Sequence, residues 1–219
     1  MPTVIPSAGW RTRIRRLGAL AALAGWGLLA SPAGAQITLG VRGGATLSTM
    51  RLTPGGEWLE ESSHKYGAHA AASFAYTFND LLGMVAEVGY TQRGAELTIL
   101  DYDALYDVIW GYDYVDVSVL GRASLGPVHL LAGPTMAFRV ACFTKISVRS
   151  SCEQVEAVFR ENDFLLTGGA GVAFDLGSAT LIVEGLYNLG LLDINNEEEH
   201  TAARHRGPLL RIGVDFRLW

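Results

Sequence analysis

After position 35, no part of this 219-residue chain approaches the run of about 18 uninterrupted apolar residues that a membrane-crossing helix presents. That excludes a polytopic helical membrane protein. Basic residues are in deficit, with 17 Lys and Arg against 22 Asp and Glu. Nucleic acid, whose phosphates demand clustered cations, is a poor partner for such a chain. Cysteine is nearly missing: Cys142 and Cys152 are the only two, with nine residues between them. The spacings Gly-x-Ser-x-Gly and His-Glu-x-x-His do not occur, so neither of these hydrolase signatures is present.

The first 35 residues contain no acidic side chain. Arg11, Arg13, Arg15 and Arg16 precede an apolar run from Leu17 to Ala30, which is shorter than the about 20 residues of a spanning helix. Ser31 and Pro32 break the run, and Ala33-Gly34-Ala35 supplies the small residues that a signal peptidase accepts. Residues 1–35 therefore read as a cleaved signal peptide; an uncleaved anchor helix is the alternative. Cleavage after Ala35 leaves residues 36–219, a length that suits one domain. This part keeps 13 basic residues against 22 acidic ones, a net charge of −9.

Within residues 36–219 the hydrophobic period is two, and it recurs eight times. Ile37, Leu39, Val41, Ala45 and Leu47 alternate with Thr38, Arg42, Thr46 and Ser48. Tyr66, Ala68, Ala70, Ala72, Phe74, Tyr76 and Phe78 alternate with Lys65, His69, Ser73 and Thr77. The same pattern runs over 82–92, 115–124, 128–139, 164–175, 181–189 and 210–218, with Ile182 and Leu186 as apolar exceptions on a polar face. Successive side chains leave a strand on opposite sides, so each segment predicts a strand with one apolar face. Each is long enough for the 9 to 11 residues or so of a tilted membrane strand. Short links at Asn79-Asp80-Leu81, Gly126-Pro127 and Leu176-Gly177-Ser178 alternate with long polar ones at 50–64, 98–112, 141–162 and 192–207. Short turns at one rim and long loops at the other match an outer-membrane barrel with both chain ends on the periplasmic side.

Alternation also fits a soluble lipocalin-type barrel, in which the apolar face points inward. Two features favour the membrane. Aromatics of the apolar face gather toward the rims, with Tyr66, Tyr90, Phe138, Phe164 and Tyr187 at one and Tyr76, Phe78, Phe174 and Phe216 at the other. That is the double girdle of a lipid-facing surface. The polar face mixes charge with glycine, as at Gly44, Gly169 and Gly171, which suits a crowded interior. The expected fold is thus an all-β, eight-stranded antiparallel up-and-down transmembrane β-barrel, closed so that no backbone edge faces hydrocarbon.

Gly40-Val-Arg-Gly-Gly-Ala-Thr-Leu-Ser resembles the opening strand of the PorT-like outer-membrane β-barrel domain family. Glu87-Val-Gly-Tyr-Thr-Gln-Arg-Gly, Leu131-Ala-Gly-Pro and Gly168-Gly-Ala-Gly-Val-Ala-Phe extend the resemblance over residues 36–219. It implies an eight-stranded outer-membrane barrel and specifies no activity. The terminal aromatic of an assembly signal is present as Trp219, although parity puts it on the polar face with Arg217. The partners implied are outer-membrane lipid and, during insertion, the barrel-assembly machinery.

Charged residues of the polar face are the first candidate site. Arg42, Glu87, Arg122, Glu184 and Arg211 fall near the middle of their strands, with Asp116 and Asp215 nearby. An eight-stranded barrel encloses room for little more than side chains, so charges there must pair. They read as a salt-bridge plug, or alternatively as the gate of a narrow ion or proton path. Cys142 and Cys152, read as loop residues of an oxidising compartment, predict a disulfide. In the second long link Tyr102, Tyr106, Trp110 and Tyr112 stand among Asp101, Asp103, Asp107 and Asp113. This offers a recognition surface rich in contact area, or simply strands three and four continued beyond the membrane. His69 and His129 face inward, whereas His64, His200 and His205 belong to loops or loop edges. Glu197, Glu198 and Glu199, with Asp193, Asn195 and Asn196, read as a solvated loop tip, or as weak ligands for divalent cations. No catalytic residue, metal site or cofactor is assigned. The function expected is a non-enzymatic barrel with a structural or surface-interaction role; a narrow channel is the alternative and a membrane-embedded lipid-modifying enzyme the third.

Overall fold

The structure is a computed structural model that describes residues 36–53, 59–101, 104–145, 149–151, 160–194 and 202–218. The described strands are β1 (Gln36–Thr53), β2 (Leu59–Thr77), β3 (Leu82–Asp101), β4 (Ala104–Leu125), β5 (Val128–Lys145), β6 (Arg149–Ser151), β7 (Asn162–Asp175), β8 (Ala179–Gly190) and β9 (Ala202–Arg217). Every pairing is antiparallel. Neighbours in sequence pair with one another except β6 and β7; β5 pairs with β7 instead, and β1 with β9 closes the ring. Eight strands therefore form the wall, and β6 only extends the top of β5. The tight links are those of the sequence reading. Gly126 and Gly177 hold φ of 60° and 88° there, a left-handed backbone that favours glycine.

The apolar side of each strand faces outward. Val41, Val88, Val119, Leu130, Leu210 and Ile212 are exposed around the circumference, while Arg42, Glu87, Glu184, Arg211 and Asp215 are 3–6% exposed inside. A soluble barrel would reverse both sets. A continuous apolar wall over a charged interior is stable only where hydrocarbon is the outer solvent, so the choice left to aromatics and glycine is decided by burial.

Two expectations are corrected. At 98–101 and 104–112 the alternative reading, strands three and four continued beyond the membrane, replaces the loop: Asp101 pairs with Ala104, and the ladder runs unbroken to Leu82 and Ala123. Likewise 50–53, 59–64, 141–145 and 202–207 belong to strands. Beyond the bilayer a strand has water or protein on both sides, so the alternation that marks a lipid-facing strand fades while the ladder continues. The 20 residues of β3 rise roughly 50 Å at ~3.3 Å per residue and ~40° tilt, about twice the apolar band of such barrels. The 12 residues of β8 reach only about 30 Å. The wall is thus tall over β1 to β5 and low over β7 and β8.

The ladder predicts a heat-modifiable protein. Unboiled in detergent, residues 36–219 should migrate differently on a gel from the boiled chain. Equal mobility, with solubility in plain buffer, would contradict a lipid-facing wall.

Candidate functional site

Inward parity brings residues from five strands into one ion-pair lattice. From β9, the Arg211 guanidinium donates two parallel bonds to Glu87 on β3, at 2.8 and 2.9 Å, and a third through Nε to Glu184 on β8, at 2.6 Å. Arg42 on β1 donates from Nη1 to Asp215 at 2.6 Å, and its Nε lies 3.8 Å from Glu184. His129 on β5 meets the other Glu184 oxygen at 2.9 Å. Charge-assisted and bidentate bonds are the strong kind, and here they are shielded from water. Lumenal glycines make the room: a Cβ on Gly40 would collide with Asp215 and Arg42, and one on Gly171 would lie 2.6 Å from both Glu184 and His129.

The remaining charges go elsewhere. Asp116 was grouped with the lattice by parity, but it pairs with Arg93 at 2.5 and 3.1 Å and accepts from Thr91 at 2.7 Å. Thr91 spends its only proton on Asp116, so His69 Nδ1 donates in its 2.9 Å contact with Thr91. The same logic orders a hydroxyl chain. Thr167 donates to Asn188, so Thr135 donates to Thr167 and Ser118 to Thr135, at 2.8 to 2.9 Å. Arg122 departs from expectation more sharply, for it makes no salt bridge among the described residues. It lies nearer the short links, where the lumen opens into a cavity that Arg122 lines.

Apolar residues complete the filling. Ala75, Val85, Leu120, Leu131, Leu186 and Leu209 form one buried cluster, which includes the Leu186 that broke the alternation. The other exception, Ile182, is buried as well. Toward the long links Met50, Ala95, Tyr112, Tyr114, Ala137, Leu165, Ile194 and Ala203 form another. Between the two lie voids of about 20 and 10 Å³, the larger big enough for one water. The inner filling is continuous.

The proposed recognition residues are redistributed. Tyr112 is 3% exposed and Trp110 packs against the same cluster, because both have inward parity on β4; they cap the lumen rather than face solvent. Tyr106 lies on β4, and Tyr102 is outside the described residues. Cys142 sits on β5 rather than in a loop and carries no free thiol. Cys152, Glu197, Glu198, Glu199 and Trp219 are outside the described residues, as are residues 1–35. His205 belongs to β9, buried against Asp163 at 3.2 Å and edge-on to Tyr112 and Tyr114. Sequence places Arg93 on the polar face of strand three with Glu87 and Thr91, yet the lumenal charge set does not include it as the partner of Asp116. Parity is legible there; the stagger that brings Arg93 to Asp116 is not.

The family model for the outer membrane protein beta-barrel domain matches residues 30–196. The chain belongs to that family. Its place is the bacterial outer membrane, as the apolar wall requires. Among solved structures it is similar to Ail, the attachment invasion locus protein of Yersinia pestis, at 17% identity over 84% of this chain and 99% of that one, with a TM-score of 0.44. It is also similar to Neisserial surface protein A, at 15% identity over 81% and 96%, with a TM-score of 0.46. The translocator domain of the autotransporter NalP from Neisseria meningitidis matches at 12% identity over 95% and 97%, with a TM-score of 0.33. No curated protein sequence matches this one.

The lattice sets an order of mutational cost. Arg211→Ala strands Glu87 and Glu184 and should lower stability by about 3–5 kcal/mol. Gly40→Ala should cost about 1–3 kcal/mol by overpacking. Arg122→Ala, with no ion pair to break, should cost under about 1 kcal/mol. Urea titration of the protein folded in detergent ranks the three, and an Arg122→Ala loss equal to that of Arg211→Ala would refute the order.

Proposed function

We propose that this protein is a non-conducting, non-enzymatic barrel that serves as a rigid outer-membrane platform and meets its partners at the long-link rim. The observation that carries the reading is the closed lumen. Salt bridges, a hydroxyl chain and two apolar clusters fill it, and the voids between the clusters hold about 20 and 10 Å³. Narrow conduction would require the Arg211 bonds to Glu87 and Glu184 to break together, leaving buried charges uncompensated. Catalysis finds little support either. Among the described residues near the long links, His205 and Asp163 form a buried acid–base pair, yet both are 1% exposed and closed off by Tyr112 and Tyr114.

Further parts of the reading rest on sequence. Residues 1–35 act as the signal peptide, Cys142 and Cys152 form a bridge that ties the top of β5 to the following link, and the chain is a PorT-like member of its family. Assembly machinery recognises the C-terminal strand, outer-membrane lipid surrounds the wall, and no cofactor takes part.

Refolded protein in a planar bilayer should be silent. Discrete, reproducible openings would replace the plug with a gate built on Arg42, Glu87, Glu184, Arg211 and Asp215. An epitope inserted between Tyr102 and Asp103 should be reached by antibody on intact cells; detection only after permeabilisation would reverse the orientation.

A further inference from the structure

The short-link mouth of the lumen is a cavity of about 580 Å³, within the range of small-ligand sites, and polar side chains share its wall with Pro127, Ala173 and Phe174. Thr38, Thr77, Ser124 and Thr180 line it from four strands, together with Gln36. Two carboxylates stand in the same wall, and both are already held. Asp215 accepts from Arg42 at 2.6 Å, and Asp175 accepts from Arg217 at 2.6 Å and from the Gly177 amide at 2.8 Å. Arg122 is the exception. It lines the cavity, forms no salt bridge among the described residues, and its buried Nε has no hydrogen-bond partner.

The lattice behind Arg122 holds two arginines, Arg42 and Arg211, against three carboxylates, Glu87, Glu184 and Asp215. Arg122 balances the odd charge at a distance, without donating a bond to it. Its planar fork of donors remains available, and that fork matches the oxygens of carboxylate or phosphate. Surrounding hydroxyls supply further donors to an anion of that shape. A divalent cation is disfavoured, because the cavity's carboxylates are both engaged by arginine.

We propose that this mouth is a binding site for an oxyanion group, carboxylate or phosphate, anchored by Arg122 with Thr38, Thr77, Ser124 and Thr180 around it. The inference does not depend on the long-link rim and stands or falls apart from the platform role. The volume exceeds what one phosphate fills, so the group arrives as part of a larger solute or as the head of a lipid in the adjacent leaflet.

The test uses residues 36–219 refolded in a neutral maltoside detergent, isotopically labelled, with inorganic phosphate and succinate added at constant ionic strength set by chloride. Saturable shifts of the Arg122 side chain and of the Thr180 and Ser124 amides are expected. Arg122→Gln should weaken that binding about tenfold or more, the loss of a charge-assisted pair, while Arg122→Lys keeps part of it. Gel mobility without boiling verifies that each variant is folded. Shifts that never saturate, or that persist unchanged in Arg122→Gln, overturn the proposal. A second arm places the protein in nanodiscs of phosphatidylglycerol or of uncharged glycolipid. Phosphate shifts lost only in phosphatidylglycerol identify a lipid head as the source, and shifts equal in both identify a free solute.

Discussion

Inside a lumen closed to water, an arginine and a carboxylate have only each other. The Arg211 guanidinium commits three nitrogens to Glu87 and Glu184, on strands that stand on opposite sides of β9 in the ring. Each of these charges would be costly alone, and each removes the cost of the other. The lattice consequently fixes β3, β8 and β9 to one another through the centre, in addition to the ladder that joins neighbours around the wall. Arg42 adds β1, and His129 adds β5. Glycine at Gly40 and Gly171 follows from the same requirement, because the pairs occupy the space a side chain would take.

The outside obeys a different rule. In hydrocarbon the wall needs only to be apolar and to leave no backbone group unpaired, and closure provides the second. Val41, Val88, Leu130 and Ile212 meet that need without specific partners. The barrel therefore has its specific chemistry at the centre and its generic surface outside, the reverse of a water-soluble protein. This inversion explains how residues 36–219 can be rich in hydrophobic side chains and still contain no long apolar run.

Parity made the wall legible, since a period of two assigns Arg42, Glu87, Glu184, Arg211 and Asp215 to one face from sequence alone. Depth along the axis was not legible. Whether two inward charges meet depends on the stagger of strands around the ring, which parity does not encode. Hence Asp116 was grouped with the lattice although it pairs with Arg93, and Arg122 was given a partner it lacks. The strand ends failed for another reason. Residues 98–112 alternate poorly because no lipid selects one of their faces, and they read as a loop although Asp101 to Arg93 continue the ladder against Ala104 to Tyr112. Tyr112 and Trp110 followed the same error, since an acidic and aromatic link suggests an exposed tip only if its strand has already stopped.

The excess strand length is itself an argument about function. Spanning the bilayer accounts for the 12 residues of β8, yet β3 and β4 carry 20 and 22. The extra turns of ladder have a core of their own, with Met50, Tyr112, Tyr114, Leu165 and Ile194 packed inside and His205 held to Asp163. Backbone bonds from Arg160 to Ile194 and from Ile194 to Ala203 tie the residues flanking β7 and β8 to β9. None of this is needed to seal the lumen, which the ion lattice and the lower apolar cluster already accomplish. A cap of strand with its own packed core keeps the upper ends of the described strands together whatever lipid surrounds the barrel. Rigid presentation lowers the ordering cost of meeting a partner, and that is a use for the tall rim which neither spanning nor plugging requires.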